Sequence, residues 1–427
     1  MARSGQGDIL QAAPLMTDRF AAFRHSSYTR YFFSRFLTSF GAQVVSVSVA
    51  WQMYDETRNP ALLGWIGLVQ FLPALLLVVV TGNAADRLGR RLVMGCAVML
   101  MMSCAAAILW LVLNRRFEPV LILAILTLFG TARAFYGPAA TSLAVNLVPR
   151  EDFPNAVSWV TTSWQVATIF GPVAGALLYG LAPHAAYGTA TGLFILAAML
   201  IFSIPKPDQR ISREPPTLSS ILGGFRYIWK EKVVLGAISL DLFAVLLGGA
   251  VALMPVYARD ILHVGELGLG LLRAAPGIGA LIAIGLITAF PIRDHAGMIL
   301  LAAVAFFGLA TAVFGASTLA WLSVLALMCV GGFDMISVYV REIILQLWTP
   351  DEVRGRVNAV NSIFVGASNE LGETRAGFMA ALIGPVLTVV GGGFAAVGVA
   401  AASAFIFPGL RRIRHLNEPD RQGRPVT

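Results

Sequence analysis

Apolar stretches long enough to cross a bilayer recur from one end of the chain to the other, at 31–54, 61–82, 92–113, 119–142, 155–181, 186–204, 233–257, 267–290, 296–316, 319–344, 357–383 and 385–407. At about 1.5 Å of rise per residue, roughly 20 such residues cover a hydrocarbon core of about 30 Å. The pattern predicts an all-α membrane protein of twelve transmembrane helices joined by mostly short polar turns. In alternate turns the basic residues are distributed unevenly: Arg58, Arg115, Arg116 and Arg259 fall on one side and twenty-two Lys and Arg on the other. The positive-inside rule then places both termini in the cytoplasm.

The longest interior polar segment divides the helices into two sets of six. The expected organisation is a cytoplasmic N-terminal segment 1–30, an N-terminal six-helix half 31–204, a cytoplasmic linker 205–232, a C-terminal half 233–410 and a tail 411–427. In the linker, Leu218, Ile221, Leu222, Phe225, Ile228 and Trp229 recur at helical spacing beside Arg226, Lys230 and Lys232. That pattern suits an amphipathic helix lying on the inner leaflet. An internal repeat supports the division: Pro149 followed by Asn155-Ala156-Val157-Ser158 is echoed by Pro350 followed by Asn358-Ala359-Val360-Asn361. Two pseudo-symmetric halves place a substrate site between them, near the bilayer midplane.

Composition narrows the function. With 57% hydrophobic and only 13% charged residues the chain is too apolar for a soluble protein of 427 residues. The net charge of +8 does not point to nucleic acid, because no accessible basic domain with stacking aromatics exists to carry it. Cys96, Cys104 and Cys329 lie in apolar runs without metal-ligand spacing, so no metal site is expected. The first thirty residues are polar and carry Arg19, Arg24 and Arg30, unlike a cleavable signal peptide. A polytopic enzyme would need His, Asp and Glu clustered at the membrane–water boundary, and all five histidines fall in loops or tails.

Several short motifs carry mechanism. Gly82-Asn83-Ala84-Ala85-Asp86-Arg87-Leu88-Gly89-Arg90-Arg91 fills the turn between the second and third spans. Glycines there let helix ends approach, a carboxylate suits a helix N-terminus, and arginines can lock a conformation by ion pairs. Arg133-Ala134-Phe135-Tyr136-Gly137 puts a base well inside the fourth span, at a cost of at least about 2.5 kcal/mol unless it is paired or solvated. In the fifth span, Gly171-Pro172 and Gly175 make a bendable, closely packing helix. The series Leu271-Leu272-Arg273-Ala274-Ala275-Pro276, Gly331-Gly332-Phe333-Asp334, Gly355-Arg356-Val357-Asn358 and Ser368-Asn369-Glu370-Leu371-Gly372-Glu373 follows in the second half.

Together these residues resemble the major facilitator superfamily, and most closely its enterobactin-exporter branch of siderophore and drug exporters. The resemblance runs from about Tyr31 to Arg412. It implies that Gly82, Asp86, Arg87, Gly89, Arg90 and Arg91 form a conformational latch, with Asp86 facing Arg90. The counterpart in the second half, around Pro291 to Gly297, is degraded. The resemblance further implies that Arg133 belongs to a motif of proton-coupled members, and that Gly171, Pro172 and Gly175 are the core of an antiporter signature. The chain departs from the branch at Thr374-Arg375-Ala376, where an aromatic, an acid and a serine are expected.

Of the ionisable residues within spans, Arg35, Arg273, Arg341 and Glu342 lie near helix ends and are expected to snorkel. Asp241, Asp334, Glu370 and Glu373 are deeper, and a carboxyl group in a poorly solvated cavity can take up and release protons. With Arg133 they are the proton-coupling candidates. Glu370 and Glu373 share a helix face, and Arg133 and Asp334 occupy matching places in the repeat, sixteen residues before Pro149 and Pro350, so that they could attract one another. The alternative partner for Asp334 is Arg341, two turns along the same helix. The reading is a monomeric, proton-coupled exporter of a small amphipathic molecule, a drug or siderophore, in the bacterial cytoplasmic membrane. A proton-coupled importer is the alternative. No cofactor is implied, since no phosphate-cradling loop is present.

Overall fold

The computed structural model describes residues 19–206, 218–292 and 294–413, apart from the side chains at 78, 79, 82, 83, 85, 86, 218–222, 351 and 352. Every regular element among them is helical. The first set comprises α1 (Ser26–Thr57), α2 (Pro60–Leu88), α3 (Arg90–Leu113), α4 (Pro119–Ala144), α5 (Phe153–Leu181) and α6 (Pro183–Phe202). After α7 (Leu218–Lys230) come α8 (Lys232–Gly248), α9 (Met254–Val256), α10 (Gly265–Ala289), α11 (Ala296–Ala316), α12 (Ala320–Leu347), α13 (Asp351–Ile383), α14 (Pro385–Ile406) and the short α15 (Pro408–Arg411).

Ten segments among the described residues are long and apolar enough to cross a membrane, the stretch Lys232–Ile261 counting as one. The other two crossings are α1 and α13, which at 32 and 33 residues are longer than any of the ten. They are also more polar, carrying Gln43, Gln52 and Asp55 on one and Asn361, Glu370, Glu373 and Arg375 on the other. Polar groups at membrane depth belong in the protein interior, not against lipid. Several helices run past the ends of the apolar stretches, α1 starting at Ser26 and α13 at Asp351, because helical hydrogen bonding continues into water where hydropathy falls.

Sequence-encoded punctuation sets the boundaries. Proline occupies the first turn of α2, α4, α5, α6 and α14, where its missing N–H has no intrahelical partner to lose. The Asn59 carboxamide accepts from the Ala61 backbone N–H at 3.0 Å and caps α2. The sharp joints between α2 and α3 and between α13 and α14 are single glycines, Gly89 (φ 98°) and Gly384 (φ 86°), in conformations that penalise a Cβ.

The helices pack as two sets. α1 lies against α5 and α6, α2 against α4, and α3 against α4 and α6. In the second set α11 lies against α12 and α14, α10 against α12, and α8 against α13 and α14. Two extensive seams join the sets, α2 with α13 and α5 with α10. Small residues make both possible. A Cβ on Gly64 would lie 2.8 Å from the Thr374 carbonyl oxygen, and one on Gly270 would lie 3.0 Å from Val173 Cα. We call the end where α1 begins the near end and the other the far end.

The crossing expected to be continuous over 233–257 is broken. α8 stops at Gly248, Gly249 turns away (ψ 120°), and the chain continues as a 3-10 turn at Val251–Leu253, α9 and a wider turn at Tyr257–Ile261. Gly248-Gly249 is a weak point for a helix, and the carbonyls it frees find partners elsewhere, as described below.

Arg341 does not snorkel. It pairs with Asp241 of α8, with side-chain exposures of 3% and 8%. Removing one member strands a buried charge, at a cost of about 3–5 kcal/mol, whereas replacing both with apolar residues is often neutral. Asp241→Asn is therefore expected to lower the melting temperature of the detergent-purified protein by several degrees. The double replacement Asp241→Leu with Arg341→Met is expected to recover most of the loss.

Candidate functional site

A cavity of about 280 Å³ lies at the middle of α2, α4 and α13. Gln70 and Phe71 line it from α2, Gly130 and Arg133 from α4, and Ser362 and Glu370 from α13. Gly130 lets the walls meet, since a Cβ there would lie 2.7 Å from Gln70 Cα. Arg133 Nη1 donates to Gln70 Oε1 at 3.3 Å, bridging α4 and α2.

Glu370 and Glu373 stand one turn apart on α13, close enough to act on one another and on Arg133. Glu373 also feels Arg273 of α10, whose guanidinium donates to Ser46 Oγ of α1 at 3.3 Å. Charged and polar groups therefore follow one another from α4 through α13 and α10 to Ser46 of α1, crossing between the two helix sets twice.

The remaining coupling candidates lie off this series. Asp241 belongs to the buried pair with Arg341, within the second set. Asp334 makes no hydrogen bond or ion pair among the described residues, and its α12 neighbour Phe333 stacks on Phe306 of α11. Neither suggested partner reaches it: Arg133 turns to Gln70 on its own side of the molecule, and Arg341 to Asp241. Phe71 is the aromatic that lines the cavity. Trp51 is buried in the core, and Trp159 donates to the Arg19 carbonyl at 2.9 Å.

In the fifth crossing Gly171 packs on Gln43 of α1 and Gly175 on Val44, while the Pro172 carbonyl faces Gly270 of α10. The motif thus sits where α5 meets both its own set and the other. At the near end, Gly82, Asp86 and Arg87 belong to α2, and the Asp86 side chain lies outside the described residues. Arg90 donates to the Ser142 carbonyl at 2.9 Å and Arg91 to the Phe202 carbonyl at 3.2 Å, tying α3 to the ends of α4 and α6. Within the second-half counterpart, Arg293 lies outside the described residues.

The far end carries a feature that reading charges singly missed. Asp55 and Arg58 at the end of α1 meet Arg259 and Asp260 of the second set: Arg259 pairs with Asp55, and Arg58 Nη1 lies 2.9 Å from Asp260 Oδ1. Tyr54 donates to Asp260, and the Arg259 guanidinium lies over the Trp51 ring, 5.7 Å from its centroid. The signal is an Asp-x-x-Arg at one helix end and an Arg-Asp pair at another; a count of basic residues in loops registers Arg58 and Arg259 but not the acids beside them.

The family described as the Major Facilitator Superfamily matches residues 31–372. An enterobactin exporter EntS from Shigella boydii serotype 4 (strain Sb227) is 26% identical over 405 residues, covering 91% of this chain and 94% of that protein. Among solved structures, a mutant form of the nucleoside transporter NupG superposes with a TM-score of 0.69 at 12% identity, over 89% of this chain and all of that one. A D-xylose-proton symporter does so with a TM-score of 0.63 at 15% identity, over 91% and 97%.

The far-end cluster makes a direct prediction. Arg58→Asp places two acids together and is expected to lower transport strongly, while the exchange Arg58→Asp with Asp260→Arg restores part of it. Transport by the three proteins in vesicles checks this, and equal rates in the single and double variants would remove the pair from the cycle.

Proposed function

Because the chain belongs to the Major Facilitator Superfamily, and is therefore a multi-pass membrane transporter, we propose that it exports a small amphipathic molecule, a drug or siderophore, in exchange for protons. The observation that carries this reading is the series of Arg133, Glu370, Glu373 and Arg273, which couples a central cavity to both helix sets. The curated exporter relative, matched over 91% of the chain, favours the outward direction. The fold by itself serves either direction, since a symporter shares it.

In this reading the near end faces the cytoplasm of a bacterial cell, both termini lie there, and one chain suffices for transport. The state described is closed at the far end by the Asp55, Arg58, Arg259 and Asp260 cluster. Substrate enters the cavity from the cytoplasm and settles among Phe71, Gln70 and Arg133. The loaded carrier rocks with its acids ionised; once substrate has left on the far side, a proton taken there by Glu370 or Glu373 cancels that group's attraction for Arg133 or Arg273. The contacts between the halves then change strength, and the halves rock about the α2–α13 and α5–α10 seams. A carrier with ionised acids moves substrate, and a protonated one returns empty. Pro172, which lacks a backbone N–H inside α5, lets that helix flex with this motion. Gly82, Asp86, Arg87, Gly89, Arg90 and Arg91 act as the latch that closes the near end in the opposite state. Asp241 and Asp334 stand outside the central exchange.

The test is efflux of dyes and siderophores from cells stripped of other pumps. Expression should lower cellular substrate, and accumulation instead would establish import. Glu370→Gln or Glu373→Gln should abolish proton-driven efflux while leaving exchange of substrate down its own gradient. Full gradient-driven efflux by the double variant would exclude both acids. In a cysteine-free version, a cysteine at Asn114 should label from the periplasm and one at Lys206 from the cytoplasm; labelling from one side would overturn the orientation.

A further inference from the structure

Arg375 stands where the exporter branch is expected to carry an acid, and it does not join the cavity charges two residues before it. Its guanidinium turns to the broken end of α8: Nε donates to the Leu246 carbonyl at 2.9 Å and Nη2 to the Leu247 carbonyl at 2.5 Å. These are among the last four carbonyls of α8, which have no intrahelical donor once the helix stops at Gly248. The neighbouring Val245 carbonyl accepts from the Gly249 N–H at 3.0 Å. At membrane depth water does not serve such groups. A cation at a helix C-terminus also meets the negative end of the helix dipole, and its hydrogen bonds are charge-assisted.

The surroundings are shaped for this contact. Gly372 brings α13 onto α8, since a Cβ there would lie 2.9 Å from the Val245 carbonyl oxygen. Across the cap, a Cβ on Gly392 of α14 would lie 3.4 Å from Arg375 Nη2. On the other side of the break, the stretch Val251–Ile261 is anchored by Tyr257, which donates to the Gly315 carbonyl at 2.8 Å. It then delivers Arg259 and Asp260 to Asp55, Arg58 and Tyr54 of α1. One helix, α13, therefore carries the cavity acids and also holds the pivot from which the far-end closure is suspended.

We propose that Arg375 is a positioning residue of the transport cycle, fastening α13 to the end of α8 so that a change at Glu373 is passed to the closure between Val251–Ile261 and α1. The proposal rests on the alternating-access reading above but not on the direction of transport. When Glu373 loses its charge, α13 shifts against α10 and α2. The two hydrogen bonds carry that shift to the break at Gly249, where the Gly249 N–H keeps its bond to the Val245 carbonyl while the Leu246 and Leu247 carbonyls are held by Arg375. A plain structural cap would stabilise α8 equally but would transmit nothing.

The test uses the full chain, cysteine-free, in lipid nanodiscs, with spin labels at the far end on Asn114 of the first half and Thr318 of the second. Double electron–electron resonance reads the ratio of closed to open separations. With Arg375 present, Glu373→Gln should change that ratio about fivefold or more, the size of ordinary coupling between sites. In Arg375→Met, which keeps an unbranched stem but no donor, the same substitution should leave the ratio nearly unchanged. Arg375→Lys should preserve the response. If Arg375→Met does not fold, Arg375→Gln, too short to serve both carbonyls, should show a reduced response. An undiminished response in Arg375→Met or Arg375→Gln overturns the proposal, and so does the absence of any response with Arg375 intact. The efflux assay on the unaltered protein stands apart: it reads the direction of transport, so accumulation there would overturn the exporter reading and leave the coupling measured by the spin labels standing.

Discussion

An arginine inside a hydrocarbon slab needs a partner, and the way four of them find one shapes the architecture. Arg341 finds Asp241 and binds α12 to α8. Arg375 finds two backbone carbonyls and binds α13 to the end of α8. Arg133 finds Gln70 and binds α4 to α2, while Arg273 finds Ser46 and binds α10 to α1. The pairs sort into two kinds. Those within one helix set hold that set together through the cycle, at a cost of about 3–5 kcal/mol if one member of a buried ion pair is lost. Those across sets, Arg273 with Ser46 and the Asp55 to Asp260 cluster, are the ones a conformational change can break without unfolding either half.

The seams between the sets are built to tolerate such breakage. Where α2 meets α13, Gly64 and Gly377 bring backbone against backbone, and where α5 meets α10, Gly270 lies against Ala176 and the Val173 and Pro172 backbone. Close backbone packing of small residues gains dispersion contacts without directional bonds. A seam of that kind can rock with little cost in any single interaction. The few polar contacts that cross it then choose between states instead of supplying the bulk of the adhesion.

Much of this was legible in the apolar pattern. The number of crossings follows from the length of each stretch, and the shared face of Glu370 and Glu373 follows from their spacing of three. What was not legible has a common cause: it depends on which helices are neighbours. Arg341 reads as an end-of-helix residue until α8 is seen to bring Asp241 beside it. Arg133 and Asp334 match in the repeat, yet α2 stands beside α4 and supplies Gln70 first. The break at Gly249 hides inside an unbroken apolar run, because hydropathy does not register the hydrogen bonds a Gly-Gly pair gives up. Arg375 registered as a departure from a family pattern; its purpose as a cap needed the position of Leu246 and Leu247.

The far end is held by contacts between the two halves, and their composition can be weighed. At the near end, Arg90 and Arg91 donate to carbonyls of their own half. At the far end, Arg58 and Arg259 each reach across to an acid of the opposite half, above a core in which Trp51, Met53 and Tyr54 of α1 pack with Leu253, Met254 and Tyr257. The pair between Arg58 and Asp260 is 51% and 37% exposed, so solvent screening limits it to roughly 0–1 kcal/mol. Burying one large apolar side chain contributes about 1.5–3 kcal/mol. Adhesion at the far end is therefore mainly hydrophobic, and the ion pairs set its register. A closure of that composition is held by the fit of its apolar side chains, with the ion pairs fixing which residues face one another.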